Sequence, residues 1–184
     1  MKKLLIGLVI GAVAAGSGVY LFQSKNNVPT AGPIDTAGST LSAASQGKKD
    51  VGAALRNVAM TGAIITVSNG ESIQAAVIKA KSGDTIQVMP GTYKETVYID
   101  KDNIAIVGVI VDGEWPLMDG ERKLNDAILY SGSGIRIENL KIVHYKGNGI
   151  MGQAGNNFVI RHNWIVDTGV YGIFPEFGKN GLVE

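Results

Sequence analysis

The segment Ile137-Glu138-Asn139-Leu140-Lys141-Ile142-Val143-His144 returns as Ile160-Arg161-His162-Asn163-Trp164-Ile165-Val166-Asp167, and this shift of 23 residues constrains the fold more than any other feature of the chain. The same shift lays Gly149-Ile150-Met151 on Gly172-Ile173-Phe174, and Ile160-Arg161 on Val183-Glu184. An earlier copy fits with a longer connection, placing Ile106 on Ile137 and Ile128 on Ile150. Each copy divides into three short β-branched runs punctuated by Gly, Asp and Asn.

Strands this short leave no room for a crossover helix after each one, as a conventional parallel sheet requires. A coil with three strands per turn resolves the conflict, because each strand pairs with its equivalent one turn away and equivalent side chains stack. Ile106, Ile137, Ile160 and Val183 then form one interior ladder, and Ile128, Ile150 and Ile173 another. An antiparallel sandwich also has short strands, but it predicts no fixed 23-residue register.

Upstream of the repeats the pattern changes. Ser68-x-x-Glu71 is a capping box, followed by Ile73, Ala76, Val77 and Ala80 on one helical face, with Gly83 suited to the stop. The spacing predicts an amphipathic helix over 71–81. Residues 23–62 are rich in Ser, Thr, Ala, Gly, Asn and Lys and read as a flexible linker, in which 48–60 can form a short helix. Lys2 and Lys3 precede an uncharged apolar run, Leu4 to Phe22, which predicts export. Two outcomes stay open. Ala12-Val13-Ala14 offers a cleavage site for a signal peptide, while the length of the run approaches what an inner-membrane anchor needs. The expected organisation is 1–22 signal peptide or anchor, 23–62 linker, and 63–184 the ordered domain. The balance of 17 basic and 16 acidic residues gives no reason to expect nucleic acid as a partner, and confines membrane contact to the N-terminal run. The absence of cysteine excludes disulfides and thiol catalysis.

Gly83-Asp84-Thr85-Ile86, Pro90-Gly91-Thr92-Tyr93-Lys94-Glu95 and the repeats ending in Gly-Ile resemble the opening of right-handed parallel β-helix proteins, the pectate-lyase-like superfamily. The closest likeness within it is to exported bacterial β-helix repeat proteins of unassigned activity. The resemblance implies an all-β solenoid over 64–184 with the amphipathic helix capping its open end. Because Glu184 falls in mid-repeat, the expectation is that the chain is truncated or a fragment, with missing turns that can hold the active site.

By the same resemblance the Gly-Ile strand faces a substrate groove, and the turn before it forms one wall. In the first copy that turn is enlarged, from Asp112 to Asp126, and carries Trp115, Asp119, Glu121, Arg122 and Lys123. An aromatic ring beside carboxylates and a guanidinium can stack on a sugar and hold its hydroxyls or carboxylate. Trp115, Asp119, Glu121, Arg122 and Tyr130 are therefore the candidate substrate-binding residues; a solvated loop with Trp115 folded onto the coil is the alternative. His144 and Asp167 are equivalent in the register, so they should lie about 5 Å apart on one edge. They are the candidate general base and its orienter, or a surface pair. Lys146, Tyr171 and Glu176 lie in the same later turns. His162 falls in a different turn, so no metal site is expected. Asn139 and Asn163 read as turn residues.

The outward positions of the groove strand, Leu129, Met151 and Phe174, form an apolar strip unsuited to calcium. The resemblance thus lacks the carboxylates of calcium-dependent pectate lyases, the paired aspartates of pectin methylesterases and the Asp-Pro-His-Gly segment of alginate epimerases. Two functions follow. One is an exported protein that binds or modifies polysaccharide, with a lyase, hydrolase or epimerase type of activity if catalytic, and no cofactor. The other is a non-catalytic module that docks a second exported protein through the apolar strip. A role in metal assembly has only two separated histidines to support it.

Overall fold

The computed structural model describes residues 52, 54–56 and 59–184. The expected export signal or anchor and most of the expected linker lie outside the described residues. Among the described residues no helix is long and apolar enough to cross a membrane.

From Ile64 the chain winds as a parallel β-solenoid of about five turns. The first face stacks β1 (Ile64–Val67), β2 (Thr85–Val88), β5 (Ala105–Gly108), β8 (Arg136–Glu138), β11 (Val159–Arg161) and β14 (Leu182–Val183). The second face stacks β3 (Gly91–Tyr93), β6 (Pro116–Asp119), β9 (Lys141–Val143) and β12 (Trp164–Val166). The third stacks β4 (Val97–Ile99), β7 (Ile128–Tyr130), β10 (Ile150–Gly152) and β13 (Ile173–Pro175). All strand pairings are parallel, in the register that the repeat predicts. Ile106, Ile137, Ile160 and Val183 align on the first face, and Ile128, Ile150 and Ile173 on the third. The antiparallel sandwich is thereby excluded.

The ladders build the core. Ile106, Ile137, Ile128 and Ile150 are fully buried, each such side chain contributing about 1.5–3 kcal/mol. Val183 keeps its register but is half exposed, since β14 is the last strand of its face.

The helix α1 (Ile73–Lys79) is shorter than the spacing predicts. Glu71 does accept the Ser68 N–H at 2.6 Å, but that contact closes a turn before the helix, and Ser72 is the N-cap. At the other end Ala80 is extended. Asp84 then draws residues 81–84 into a turn by accepting the Lys81 N–H at 2.8 Å, so Gly83 serves that turn. Ile73, Ala76 and Val77 are buried, and α1 packs against β1, β2 and β4.

A seven-residue helix holds poorly by itself. This one is held at both ends by the coil. Glu95 accepts the N–H groups of Ile73 and Gln74 at 2.8 and 3.1 Å, and the Ser72 hydroxyl at 2.7 Å. Lys101 Nζ donates to the carbonyls of Val77, Ile78 and Ala80 at 2.7–3.0 Å. Gln74 meets the open edge of β4, accepting from Tyr98 N at 2.6 Å and donating to Tyr98 O. The helix thus satisfies backbone groups that a free edge strand would leave open.

Two expectations change. Residues 54–56, within the expected linker, form a helical turn on the first face, with Leu55 buried and Arg136 Nη2 donating to Leu55 O at 3.0 Å. The expected long loop from Asp112 to Asp126 contains β6, whose Met118 is fully buried and whose residues pair with β3 and β9. What remains is a tight turn bridged from Val111 to Glu114 and a second turn over 120–126.

Candidate functional site

The exits of β6, β9 and β12 converge on one edge of the coil. Asp119 ends β6 in register with Val143, and Val143 with Val166, so the following residues His144 and Asp167 stack beside it. The expected neighbourhood of His144 and Asp167 is present: His144 N donates to Asp167 O at 3.1 Å, and His144 Nε2 faces Asp167 Oδ2 at 3.8 Å. The closer partner of the imidazole is Asp119, whose Oδ1 lies 3.0 Å from Nδ1. That pair spans 25 residues rather than 23, because the first copy carries insertions, so the repeat register hid it.

The turn after β6 is wound tightly over this pair. Asp119 Oδ1 accepts the Glu121 N–H at 2.9 Å, and Arg122 N donates to His144 O at 2.8 Å. Gly120 makes the approach possible, since a Cβ there would meet His144 O at 2.6 Å. Arg122 reaches forward to pair with Asp167, and Glu121 is held by Lys94 at 2.5 Å and Lys123 at 3.2 Å. Backbone strain collects here. Glu121, Arg122, His144 and Asp167 all have φ between 50° and 58°. Such values suit Gly and Asn, and are tolerated by Asp and His. Apart from Phe177, Glu121 and Arg122 are the only described residues at positive φ that are not Gly, Asn, Asp or His.

The charges follow from these contacts. Burial pushes the Asp119 carboxyl up, but the Glu121 N–H, His144 and Lys94 outweigh it and hold Asp119 below the usual carboxylate range. Lys94 and Lys123 hold Glu121 low in the same way, and Glu121 raises Lys94. An ionised Asp119 can only accept, so Nδ1 of His144 carries the shared proton. His144 lines a shallow depression of about 260 Å³ together with Arg122, Tyr145, Lys146, Asp167 and Gly169, and its Nε2 lies on the side of Asp167. Beneath it the buried Tyr145 donates to Glu95 O at 2.7 Å, anchoring the turn to the residue that holds α1.

The outer side of the second face leads to this turn. Leu117, Lys141 and Trp164 align outward, Lys141 Nζ lies 4.4 Å from the Trp164 ring centre, and Trp115 meets Trp164 edge-on at 6.5 Å. Trp164 is 52% exposed. Sequence reasoning missed Trp164, Lys141 and Lys94 as site residues. The repeat itself aligned Lys141 with Trp164, and the alternation of inward Ile165 marks Trp164 as outward.

The other candidates are placed elsewhere. Tyr130 offers no stacking face: its side chain is fully buried against Phe158, in space left open by Gly152, where a Cβ would meet the phenol oxygen at 2.5 Å. Leu129, Met151 and Phe174 do align on the outer side of the third face, with Tyr98 extending the strip and Tyr171 stacked on Phe174 at 4.9 Å. The turn over 120–126 joins the second face to the third, but Trp115 precedes β6 and packs on Trp164 of the second face, so it does not overhang this strip. His162 lies in the turn after β11, where its N–H donates to Glu184 O. Comparison with family models, with curated proteins and with solved structures finds no match to this chain.

Proposed function

We propose that this protein is an exported parallel β-helix protein of the pectate-lyase-like kind, and that it binds polysaccharide along the outer side of its second face. The observation that carries the reading is the exposed Trp164 ring, braced by Trp115 and Lys141, on the same strands whose exits bear Asp119, His144, Asp167 and Arg122. An aromatic face stacks on a sugar ring, and charged donors and acceptors one strand length away, about 10 Å, suit the next residues of the polymer. Titration of acidic and neutral polysaccharides should show binding that Trp164→Ala weakens at least tenfold. Equal affinity without the ring would refute this placement. Export is tested by replacing Leu5, Ile6, Leu8 and Val9 with charged residues, which should leave the protein in the cytoplasm.

A second reading rests on the strip of Tyr98, Leu129, Met151 and Phe174, which would dock a second exported protein. Met151→Asp separates the two, since it should leave polysaccharide binding on the second face intact and abolish docking.

A further inference from the structure

We propose that the turn carrying His144 is a hydrolytic centre that removes acyl groups from sugar hydroxyls, with water as the second reactant; this rests on the polysaccharide reading and adds a reaction to it. The imidazole has the arrangement of a general base: Nδ1 is held by Asp119 at 3.0 Å, and Nε2 lies 3.8 Å from Asp167, beyond hydrogen-bond reach, with both residues lining the depression. That gap is one a water molecule can bridge. Arg122 and Lys146 line the same depression and supply positive charge where an oxyanion would form.

The two carboxylates do not fit cleavage of the glycosidic bond itself. That chemistry needs one carboxyl kept protonated as an acid. Asp119 instead accepts from the Glu121 N–H and the imidazole, and Asp167 is paired with Arg122. The group free to take a proton and return it is the imidazole. The depression is also shallow, with the His144 side chain 41% exposed, which suits a substituent projecting from a bound polymer better than a small molecule enclosed on all sides.

The reaction balances without a cofactor. Nε2 takes a proton from water as the water oxygen bonds to the acyl carbon, and the carbonyl oxygen becomes an anion facing Arg122 and Lys146. The intermediate then collapses, the carbon–oxygen bond to the sugar breaks, and the departing oxygen takes the proton from Nε2. The products are a carboxylic acid and a free sugar hydroxyl. His144 is the catalytic residue, and Asp119 a positioning residue acting through it.

The full chain is assayed for acetate release from an O-acetylated polysaccharide, with binding of the same polymer measured in parallel. His144→Asn suits the left-handed backbone and removes the base; it should lower kcat at least 100-fold with polymer binding retained. Asp119→Asn should lower kcat and shift the pH–rate profile, which a merely structural role would not do. Trp164→Ala should raise KM with kcat unchanged. Wild type that binds the polymer and releases no acetate overturns the reaction and leaves the binding reading standing. Unchanged turnover in His144→Asn, or an unsaturated sugar as the product, also overturns it. His144-dependent hydrolysis of p-nitrophenyl acetate without polymer binding supports the centre and overturns the polysaccharide reading.

Discussion

The end of the coil under α1 and the turn around His144 are built from similar polar residues to opposite effect. Under α1, Glu95, Lys101 and Gln74 each satisfy backbone groups, and the helix buries Ile73, Ala76 and Val77. At the His144 turn, two residues sit in a left-handed region unsuited to them, and the side chains of Arg122, His144 and Asp167 stay 41–69% accessible. The first arrangement returns its polar contacts as stability. The second holds charged groups in a fixed geometry with little return, which is the pattern expected where geometry serves binding or chemistry.

The most disruptive test of this contrast is Val77→Asp. Val77 is 1% exposed among apolar neighbours, so the substitution buries an unpaired carboxylate. Stability in urea should fall by about 3 kcal/mol or more. A neutral effect would mean that α1 is not part of the cooperative core. Next in size is Glu95→Ala, which frees two helix N–H groups and the Ser72 hydroxyl. A loss of about 1–2 kcal/mol is expected, with Glu95→Gln in between because its amide oxygen still accepts.

The fold was legible because a solenoid writes its register into the sequence: Ile137 and Ile160, or Ile150 and Ile173, pair at the same shift that the residues repeat. Where insertions break the shift, legibility stops. Strand β6 lay concealed in an apparent loop because Pro116-Leu117-Met118-Asp119 has no β-branched residue, and Asp119 therefore could not be paired with His144. Tyr130 was misplaced for a different reason. The alternation already pointed the other way, since Ile128 inward and Leu129 outward put Tyr130 inward, and Gly152 on the next rung makes room for it there.

A subtler test uses acid. Asp84 is buried and accepts the N–H groups of Lys81 and Ala63, which lower its carboxyl below the ordinary value near 3.8. A carboxyl whose folded value is depressed adds stability above its unfolded value, and that stability is lost as pH falls through the folded value. The wild type should therefore lose stability as pH drops below about 4. Asp84→Asn should be less stable at neutral pH and should show a flatter acid branch. An acid branch of unchanged slope would place the sensitive carboxyl elsewhere.

The smallest effect expected is the one that separates the two regions most directly. Arg122 sits at φ 56°, and its pair with Asp167 is exposed, with 69% and 44% of the two side chains accessible. A surface ion pair of this kind contributes about 0–1 kcal/mol, while a long side chain in the left-handed region costs about 1 kcal/mol that glycine avoids. The two terms nearly cancel. Arg122→Gly should leave stability within about 0.5 kcal/mol of wild type, or slightly above it. The same substitution removes a cation that lines the depression beside His144 and should weaken binding of an acidic polysaccharide severalfold. Thermal unfolding and polymer titration on one preparation measure both. A clear loss of stability would mean that the strained turn supports the fold as α1 does, and the contrast between the two regions would be lost.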